Sequence, residues 1–148
     1  MKTSRGEKKK VSKWFWIIVI IMLIWNLIGV VSFFGHVFIS DETLSNLPQN
    51  EKDLYSEYPI WTTLLFAIAV FGGLLGSISL ILRSKWARPY FIISFMAIVP
   101  QMIHNVFFTH SISVYGFIQA ITMPVLVVVI GGFLIWYSSY SYNKKWIS

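Results

Sequence analysis

The sequence predicts an all-α protein that crosses a membrane four times, a bundle of four transmembrane helices with both termini in the cytoplasm. The first observation behind this prediction is composition. Of the 148 residues, 56% are apolar and only 12% are charged, against about 45–50% and 25% in soluble globular domains. The second is a set of four long stretches without charge, and the third is an unequal distribution of charge between the segments that connect them. A chain of this length cannot bury so much apolar surface in a core of its own, so lipid must be its solvent.

Each of the four stretches is long enough for one crossing, since a helix needs about 20 mostly apolar residues to cross the hydrocarbon of a bilayer. None contains Asp, Glu, Lys or Arg in its interior. The predicted spans are TM1 at 14–38, TM2 at 61–82, TM3 at 89–108 and TM4 at 114–137.

The first span follows a basic segment, as the core of a secretory signal does, but we expect it to be retained. Its apolar run exceeds the roughly 7–15 residues of a signal core, and no cleavage site with small residues precedes Asp41. TM2 is closed by Arg83, and TM3 opens with Pro89, a residue favoured in the first turn of a helix.

The charges of the connecting segments predict the orientation. Eleven of the twelve lysines and arginines fall in three segments, the tail at 1–13, the loop at 83–88 and the tail at 138–148. Five of the six acidic residues fall in the loop at 39–60. Because basic loops stay on the cytoplasmic side, both termini are predicted to be cytoplasmic in a bacterial cytoplasmic membrane, and the net charge of +6 does not indicate nucleic-acid binding.

The acidic outer loop at 39–60 is the only sizeable polar segment, because the other outer loop, at 109–113, is too short to form a domain. Ser40 is a candidate helix cap and Pro48 interrupts the helical run that follows it. A second short helix would place apolar and aromatic residues, including Leu54 and Tyr58, at the membrane interface. This loop is either a lid or partner-binding segment or a solvated connector.

Six polar side chains inside the spans are the candidate site residues, because polar groups in a membrane need a reason to be there. Gln101, His104 and Asn105 share one helix face, because they are three and four positions apart. We expect every candidate to lie in the middle or the outer half of the membrane. The set is Asn26, Gln101, His104, Asn105, Gln119 and Thr122. Two interpretations stay open: a small polar pocket, or hydrogen bonds that join the helices.

Small residues in TM2 predict close helix packing. Gly72, Gly73, Gly76 and Ser77 include two pairs at a spacing of four, which allows two helix backbones to approach. The partner helix belongs either to the same bundle or to a second copy of the chain.

Catalysis and cofactor binding are not expected. The spans hold no carboxylate for ion coupling, and the sequence lacks the usual hydrolase and phosphate-loop motifs. With no cysteine, a disulfide scaffold and thiol chemistry are excluded. A metal site would depend on three histidines without a carboxylate, so we predict no metal.

Several segments resemble a family of small bacterial four-helix membrane proteins commonly labelled "sugar transporter". The resemblance extends from about residue 14 to residue 146 and implies the same four-helix fold and topology. The segments that carry it are Trp25-Asn26-Leu27-Ile28-Gly29-Val30, Tyr58-Pro59-Ile60-Trp61-Thr62, Ala67-Ile68-Ala69-Val70-Phe71-Gly72-Gly73, Arg83-Ser84-Lys85-Trp86-Ala87 and Gln101-Met102.

Two functional hypotheses follow. The first is a carrier or binder of a neutral polar solute such as a sugar, acting as a dimer because four helices hardly enclose a path. The second is a non-catalytic accessory or structural membrane subunit that uses the TM2 glycines and the acidic loop. The expected partners are the lipid bilayer and either a second copy or another membrane protein.

Overall fold

Seven helices form the regular structure of residues 9–148, the part of the chain that the computed structural model describes. They are α1 (Lys13–Val37), α2 (Asp41–Ser45), α3 (Gln49–Ser56), α4 (Ile60–Ile81), α5 (Ala87–Phe107), α6 (Ser111–Tyr115) and α7 (Phe117–Asn143). Four of them, α1, α4, α5 and α7, are long and apolar enough to cross a membrane. The prediction of an all-α bundle with four spanning helices is confirmed; the first eight residues of the basic tail predicted at 1–13 lie outside the described part.

The helix bounds differ most from the sequence prediction in the last span. TM4 was expected at 114–137, but α7 runs from Phe117 to Asn143. The short helix α6 ends at Gly116, whose φ of 83° is a left-handed conformation that glycine adopts easily. At the other end no charge or helix breaker stands before Lys144, so the helix continues beyond the apolar core.

The spanning helices form a row in the order α1, α4, α5, α7. α4 packs against α1 and α5, and α5 packs against α7, whereas the backbones of α1 and α7 hardly approach each other. The two outer helices of the row meet through side chains near the chain termini, where the Phe15 and Tyr137 rings stack with centroids 6.3 Å apart. α1 and α7 are therefore in contact at the end of the bundle near the chain termini, and a gap separates them toward the other end.

The closed end, hereafter the terminal end, comprises residues 9–13, 82–86 and 144–148. Its core is a cluster of buried apolar side chains from α1, α4, α5, α7 and the C-terminal segment: Phe15, Val19, Leu80, Ala87, Phe91, Leu134, Tyr137 and Ile147. Ile147 is 1% exposed although it is the penultimate residue, so the C-terminal segment folds back and completes this core.

The opposite end, hereafter the loop end, comprises residues 38–59 and 108–116. Ser40 caps α2, because its hydroxyl accepts a hydrogen bond from the Thr43 N–H at 3.1 Å. Leu54 is the buried residue of α3, and α3 packs against α6. The acidic loop is thus structured and is attached to the end of the bundle.

Two of the spanning helices end with a lysine or arginine in the left-handed conformation. Arg83 follows α4 with a φ of 57°, and Lys145 follows α7 with a φ of 59°. In both places the next residue donates back into the last turn: Ser84 N–H to the Ser79 carbonyl at 2.8 Å and Trp146 N–H to the Ser141 carbonyl at 2.9 Å. This is the Schellman arrangement, in which glycine is the preferred residue.

We expect Lys145→Gly to stabilise the protein by about 0.5–1 kcal/mol, because glycine relieves the left-handed strain and the lysine side chain is exposed. The matched control is Lys144→Gly, at a φ of −77°, which should lower stability instead. Unfolding in mixed detergent micelles measures both. A Lys145→Gly variant no more stable than Lys144→Gly would contradict the prediction.

Candidate functional site

The small residues of α4 provide the close contacts that place the other spanning helices. Gly72, Gly73 and Gly76 are buried, and Ser77 is 0% exposed. A methyl group added at Gly72 would lie 3.1–3.3 Å from Ser94 of α5, and one added at Gly76 would lie 2.5 Å from the Phe91 ring. The glycine face of α4 is therefore occupied by helices of the same chain, and a dimer would need another surface.

Asn26 of α1 is fixed against this face. Its side-chain N–H₂ donates to the Met22 carbonyl at 2.8 Å and to the Ser77 hydroxyl at 2.9 Å. Its amide oxygen lies 2.0 Å from the position that a Gly73 Cβ would occupy. Asn26 can approach α4 because Gly73 has no side chain, and the resulting hydrogen bond joins the two helices.

Ser94 makes the corresponding contact between α5 and α4. Its hydroxyl donates to the Ala69 carbonyl at 2.6 Å, and the side chain is 5% exposed. Asn26 and Ser94 thus use their hydrogen bonds within the chain, and we assign both a role in holding the helices together.

A cavity of about 340 Å³ lies between α1 and α7 and is backed by α4 and α5. This volume is within the range of small-molecule sites, roughly 300–1,000 Å³. Among the described residues 9–148, no Asp, Glu, Lys or Arg lines it. Its polar lining residues come from α1, α4, α5 and the segment before α4: Asn26, Ser32, His36, Tyr58, Thr62, Thr63, Ser94, Gln101 and Asn105.

The α7 wall of the cavity is entirely apolar. It consists of Met123, Pro124, Val127, Ile130, Gly131 and Leu134, which recur at helical spacing on one face. Gly131 faces α5 closely, since an added Cβ would lie 2.9 Å from the Phe95 ring. Polar and apolar walls thus face each other across the cavity.

Aromatic side chains of the acidic loop pack against His36, which lines the cavity at its loop end. The Tyr55 and His36 rings stack with centroids 5.2 Å apart, and the Tyr58 ring lies edge-on to His36 at 5.6 Å. The Tyr58 hydroxyl donates to the Asn105 amide oxygen at 3.1 Å. Burial raises the pKa of Tyr58, which keeps the hydroxyl protonated as a donor.

An acid–histidine contact joins the acidic loop to the other loop. Glu57 accepts a hydrogen bond from the His110 backbone N–H at 2.7 Å, and the His110 ring nitrogen Nδ1 lies 2.5 Å from the other carboxylate oxygen. The backbone bond, followed by the side-chain bond, holds the pKa of Glu57 below its ordinary value of 4.5. The contact therefore favours the ionised carboxylate.

This contact should make the attachment of α3 sensitive to acid. Because the folded-state pKa of Glu57 is lowered, its stabilising contribution is complete above the ordinary pKa of 4.5 and is lost as the pH falls through the lowered value. We expect amide hydrogen exchange in α3 to speed up, beyond its intrinsic pH dependence, as the pH falls from 6 to about 3.

The matched variants for this measurement are Glu57→Gln and Glu42→Gln, the latter on an exposed residue of α2. Glu57→Gln should abolish the pH effect on α3, and Glu42→Gln should leave it unchanged. An acid effect that persists in Glu57→Gln would show that a different group is responsible; His110 and His104 are the other titratable groups acting on this carboxylate.

The structure brings three of the six sequence candidates to the cavity: Asn26, Gln101 and Asn105. His104 does not line it. The His104 ring lies instead between Trp61, edge-on at 5.0 Å, and Phe108, stacked at 5.9 Å. Its Nδ1 is buried and has no hydrogen-bond partner among residues 9–148. Residues three positions apart on a helix are still offset from each other about the helix axis. Here this offset directs His104 away from the cavity, whereas Gln101 faces it.

Gln119 and Thr122 do not belong to the pocket, which corrects the expectation from the sequence. Gln119 is at the exposed start of α7, one turn before the lining residue Met123. Thr122 is on the exposed outer side of α7, where its hydroxyl bonds to the Ile118 carbonyl at 2.6 Å. Thr122 lies about as far into the bundle as Gln101 but faces outward, whereas Gln119 lies in the first turn of α7, beyond the cavity.

The six candidates do not include the polar lining residues at the ends of α1 and α4, of which the sequence pointed to His36 only as a solvated group near the outer interface. Ser32 and His36 are one turn apart on α1 and continue the face of Trp25 and Gly29. Thr62 and Thr63 begin α4 and follow Tyr58. The signal for Ser32 and His36 was this spacing of four; no comparable pattern marks the threonines, which only the packing of the loop end reveals.

No family model, curated protein or solved structure matches this chain. Among residues 9–148, no three His, Cys, Asp or Glu side chains are grouped so that they could hold a metal ion.

Proposed function

We propose that this protein binds a small uncharged polar compound in the cavity between α1 and α7 and acts as a carrier or binding protein for it in a bacterial cytoplasmic membrane. The observation that carries this proposal is the cavity lining, which offers hydroxyl, amide and imidazole groups and no formal charge from Asp, Glu, Lys or Arg. A charged ligand buried there would lack a counter-ion, and this would cost several kcal/mol.

Gln101 and Asn105 are the residues we assign to recognition of the ligand. Both line the cavity, one helical turn apart. The amide oxygen of Asn105 accepts a hydrogen bond from the Tyr58 hydroxyl, and the Asn105 N–H₂ group can therefore donate to a ligand. Within residues 9–148, no hydrogen bond occupies the Gln101 amide, so it can both donate to and accept from a ligand hydroxyl.

The orientation that we propose follows the positive charges. The terminal end carries Lys and Arg from three segments and the loop end carries the acidic residues, so the terminal end is assigned to the cytoplasm. The acidic loop is then on the outer side, and the polar part of the cavity is directed toward it. A cysteine placed at Ser45 should be labelled by an impermeant reagent from outside and one at Ser84 should not; the reverse pattern would overturn the assignment.

Binding of uncharged hydroxylated compounds, soluble sugars and hydroxyl-bearing lipids alike, tests the proposal. Gln101→Ala should weaken binding by about three- to tenfold, as expected for the loss of one or two neutral hydrogen bonds. Gln119→Ala removes the same amide from an exposed position outside the cavity and should have no effect. Absence of binding across the panel, or equal effects of the two variants, would contradict the proposal.

A second candidate is an accessory subunit that acts through the acidic loop. Asp41, Glu42 and Asp53 are exposed on α2 and α3, so their carboxylates are available to a basic partner on the same side of the membrane. Photo-crosslinking from position 42 in native membranes should trap a defined partner, and crosslinking from the exposed residue Leu82 at the terminal end is the control. Recovery of monomer alone from position 42 would count against this role.

A further inference from the structure

The polar groups of the cavity are concentrated toward the loop end. His36, Thr62 and Asn105 belong to the helix ends nearest the loops, and Tyr58 belongs to the segment before α4. Deeper in the membrane the lining becomes apolar, with Phe91, Ile130 and Leu134. The polar groups at that depth, Asn26 and Ser94, are already hydrogen-bonded within the chain. The cavity therefore offers hydrogen bonds at one end and apolar contact at the other.

The cavity is also open sideways, between α1 and α7. The backbones of these helices hardly approach each other, and two lining residues at the gap, Ile28 and Met123, are 57% and 55% exposed. In a membrane these exposed surfaces face lipid. A ligand can thus enter from the bilayer without crossing the acidic loop.

We propose that the occupant of this cavity is a lipid with an uncharged, hydroxyl-bearing head group, whose head lies against Gln101 and Asn105 and whose tail passes along the apolar α7 wall and out between α1 and α7. This inference rests on the proposed function and specifies its ligand class. A lipid in the bilayer already has its head at the interface and its tail toward the membrane centre, which is the polarity that the cavity presents.

A free sugar fits this lining less well. Its hydroxyl groups point in every direction, and each one buried without a partner carries an energetic cost. The α7 wall offers no side-chain hydrogen bond, since Met123, Val127 and Ile130 are apolar. A lipid requires hydrogen bonds only at its head, and its tail gains dispersion contacts along that wall.

The test uses the full chain reconstituted in phosphatidylcholine vesicles with a photoactivatable 1-oleoylglycerol analogue. After illumination, adducts mapped by mass spectrometry should include the cavity faces of α1 and α7, and excess unlabelled 1-oleoylglycerol should displace them. Adducts on the outer side of α7, around Thr122, come from bulk lipid and should not be displaced. Competition by 1-oleoyl-lysophosphatidate, which has the same tail and a charged head, should be much weaker; equal competition would overturn the assignment of an uncharged head.

Two matched variants separate the cavity from the lipid surface. Met123→Trp fills the gap and should reduce the displaceable adducts by about fivefold or more, which corresponds to a loss of about 1 kcal/mol or more in binding free energy. Thr122→Trp adds the same ring on the outer side and should not change them. If labelled glucose binds in a Gln101-dependent way and no displaceable lipid adduct forms, the lipid assignment is wrong while the proposed function stands. If neither ligand binds, both are overturned.

Discussion

Gly73→Ala should destabilise the protein by about 1–3 kcal/mol, the range measured when a packed interior is overfilled. The added methyl would lie 2.0 Å from the side-chain amide oxygen of Asn26 and 3.0 Å from the Cγ of the same amide group. Asn26 cannot turn aside freely, because its N–H₂ is bonded to the Met22 carbonyl and the Ser77 hydroxyl. Either the interhelical hydrogen bond breaks or α1 moves away from α4.

Gly132→Ala on α7 is the matched control, because nothing lies within 4 Å of the methyl that it would add. We expect that variant to be neutral or to stabilise the helix by up to about 1 kcal/mol, the usual gain when an unconstrained helical glycine is replaced. Equal stabilities of Gly73→Ala and Gly132→Ala in mixed detergent micelles would refute the close contact of α1 and α4.

The double variant Asn26→Ala/Gly73→Ala isolates the cause. Asn26→Ala alone should destabilise by about 0.6 kcal/mol, the average for an interhelical hydrogen bond in a membrane bundle. In that background the Gly73 methyl has space, so the further loss should be smaller than in the wild-type chain. Simple additivity of the two changes would mean that the methyl acts elsewhere than on Asn26.

The spanning helices could be predicted from the sequence because mean hydropathy is averaged over a whole stretch of residues. It does not depend on which face of a helix is buried. The end of the last span was less accurate, since α7 continues to Asn143 through a polar but uncharged segment. That helix stops where Lys145 adopts the left-handed conformation and the Trp146 N–H bonds back to the Ser141 carbonyl, and not where the apolar run ends.

The candidate site was only partly predictable, because residue depth can be counted along a chain but rotation about the helix axis cannot. Gln101 and Thr122 lie at similar distances from the loop end of their helices, yet Gln101 lines the cavity and Thr122 is on the outer side of α7. The gap between α1 and α7 was not foreseeable either. It results from the row arrangement of the helices, which depends on the Gly73 and Gly76 contacts of α4 with its neighbours on both sides.

Arg83→Ala should release the terminal end and destabilise the protein by about 2 kcal/mol. The Arg83 side chain donates from Nε to the Trp146 carbonyl at 2.7 Å and from Nη2 to the Lys9 carbonyl at 2.6 Å. Hydrogen bonds from a charged donor contribute about 1.5–3 kcal/mol when partly buried and less when exposed. Of the two, the bond to Trp146 is the partly buried one.

The same arginine also holds the last residue of the described chain. The Arg83 carbonyl accepts from the Ser148 N–H at 3.0 Å, and the Ser148 carbonyl accepts from the Lys85 N–H at 3.1 Å. Loss of the side-chain bonds should free this segment, expose Ile147 and make the C-terminus a substrate for carboxypeptidase. Lys85→Ala removes an exposed side chain from the same connection and should stay within about 0.5 kcal/mol of the wild type; equal digestion of the two variants would contradict the role of Arg83.

We expect Arg83→Ala to affect the cavity as well, because α1 and α7 are held together at the terminal end. Phe15 of α1 packs on Tyr137 and on Trp146, and Trp146 is the residue whose carbonyl Arg83 binds. If the segment detaches, the contact between the two outer helices at the terminal end weakens, and the cavity between them loses its fixed width. Arg83→Ala should therefore weaken ligand binding although residue 83 is distant from the cavity. Gln101→Ala should weaken binding without increasing digestion of the C-terminus. If Arg83→Ala frees the C-terminus but leaves binding unchanged, the loop end alone maintains the cavity.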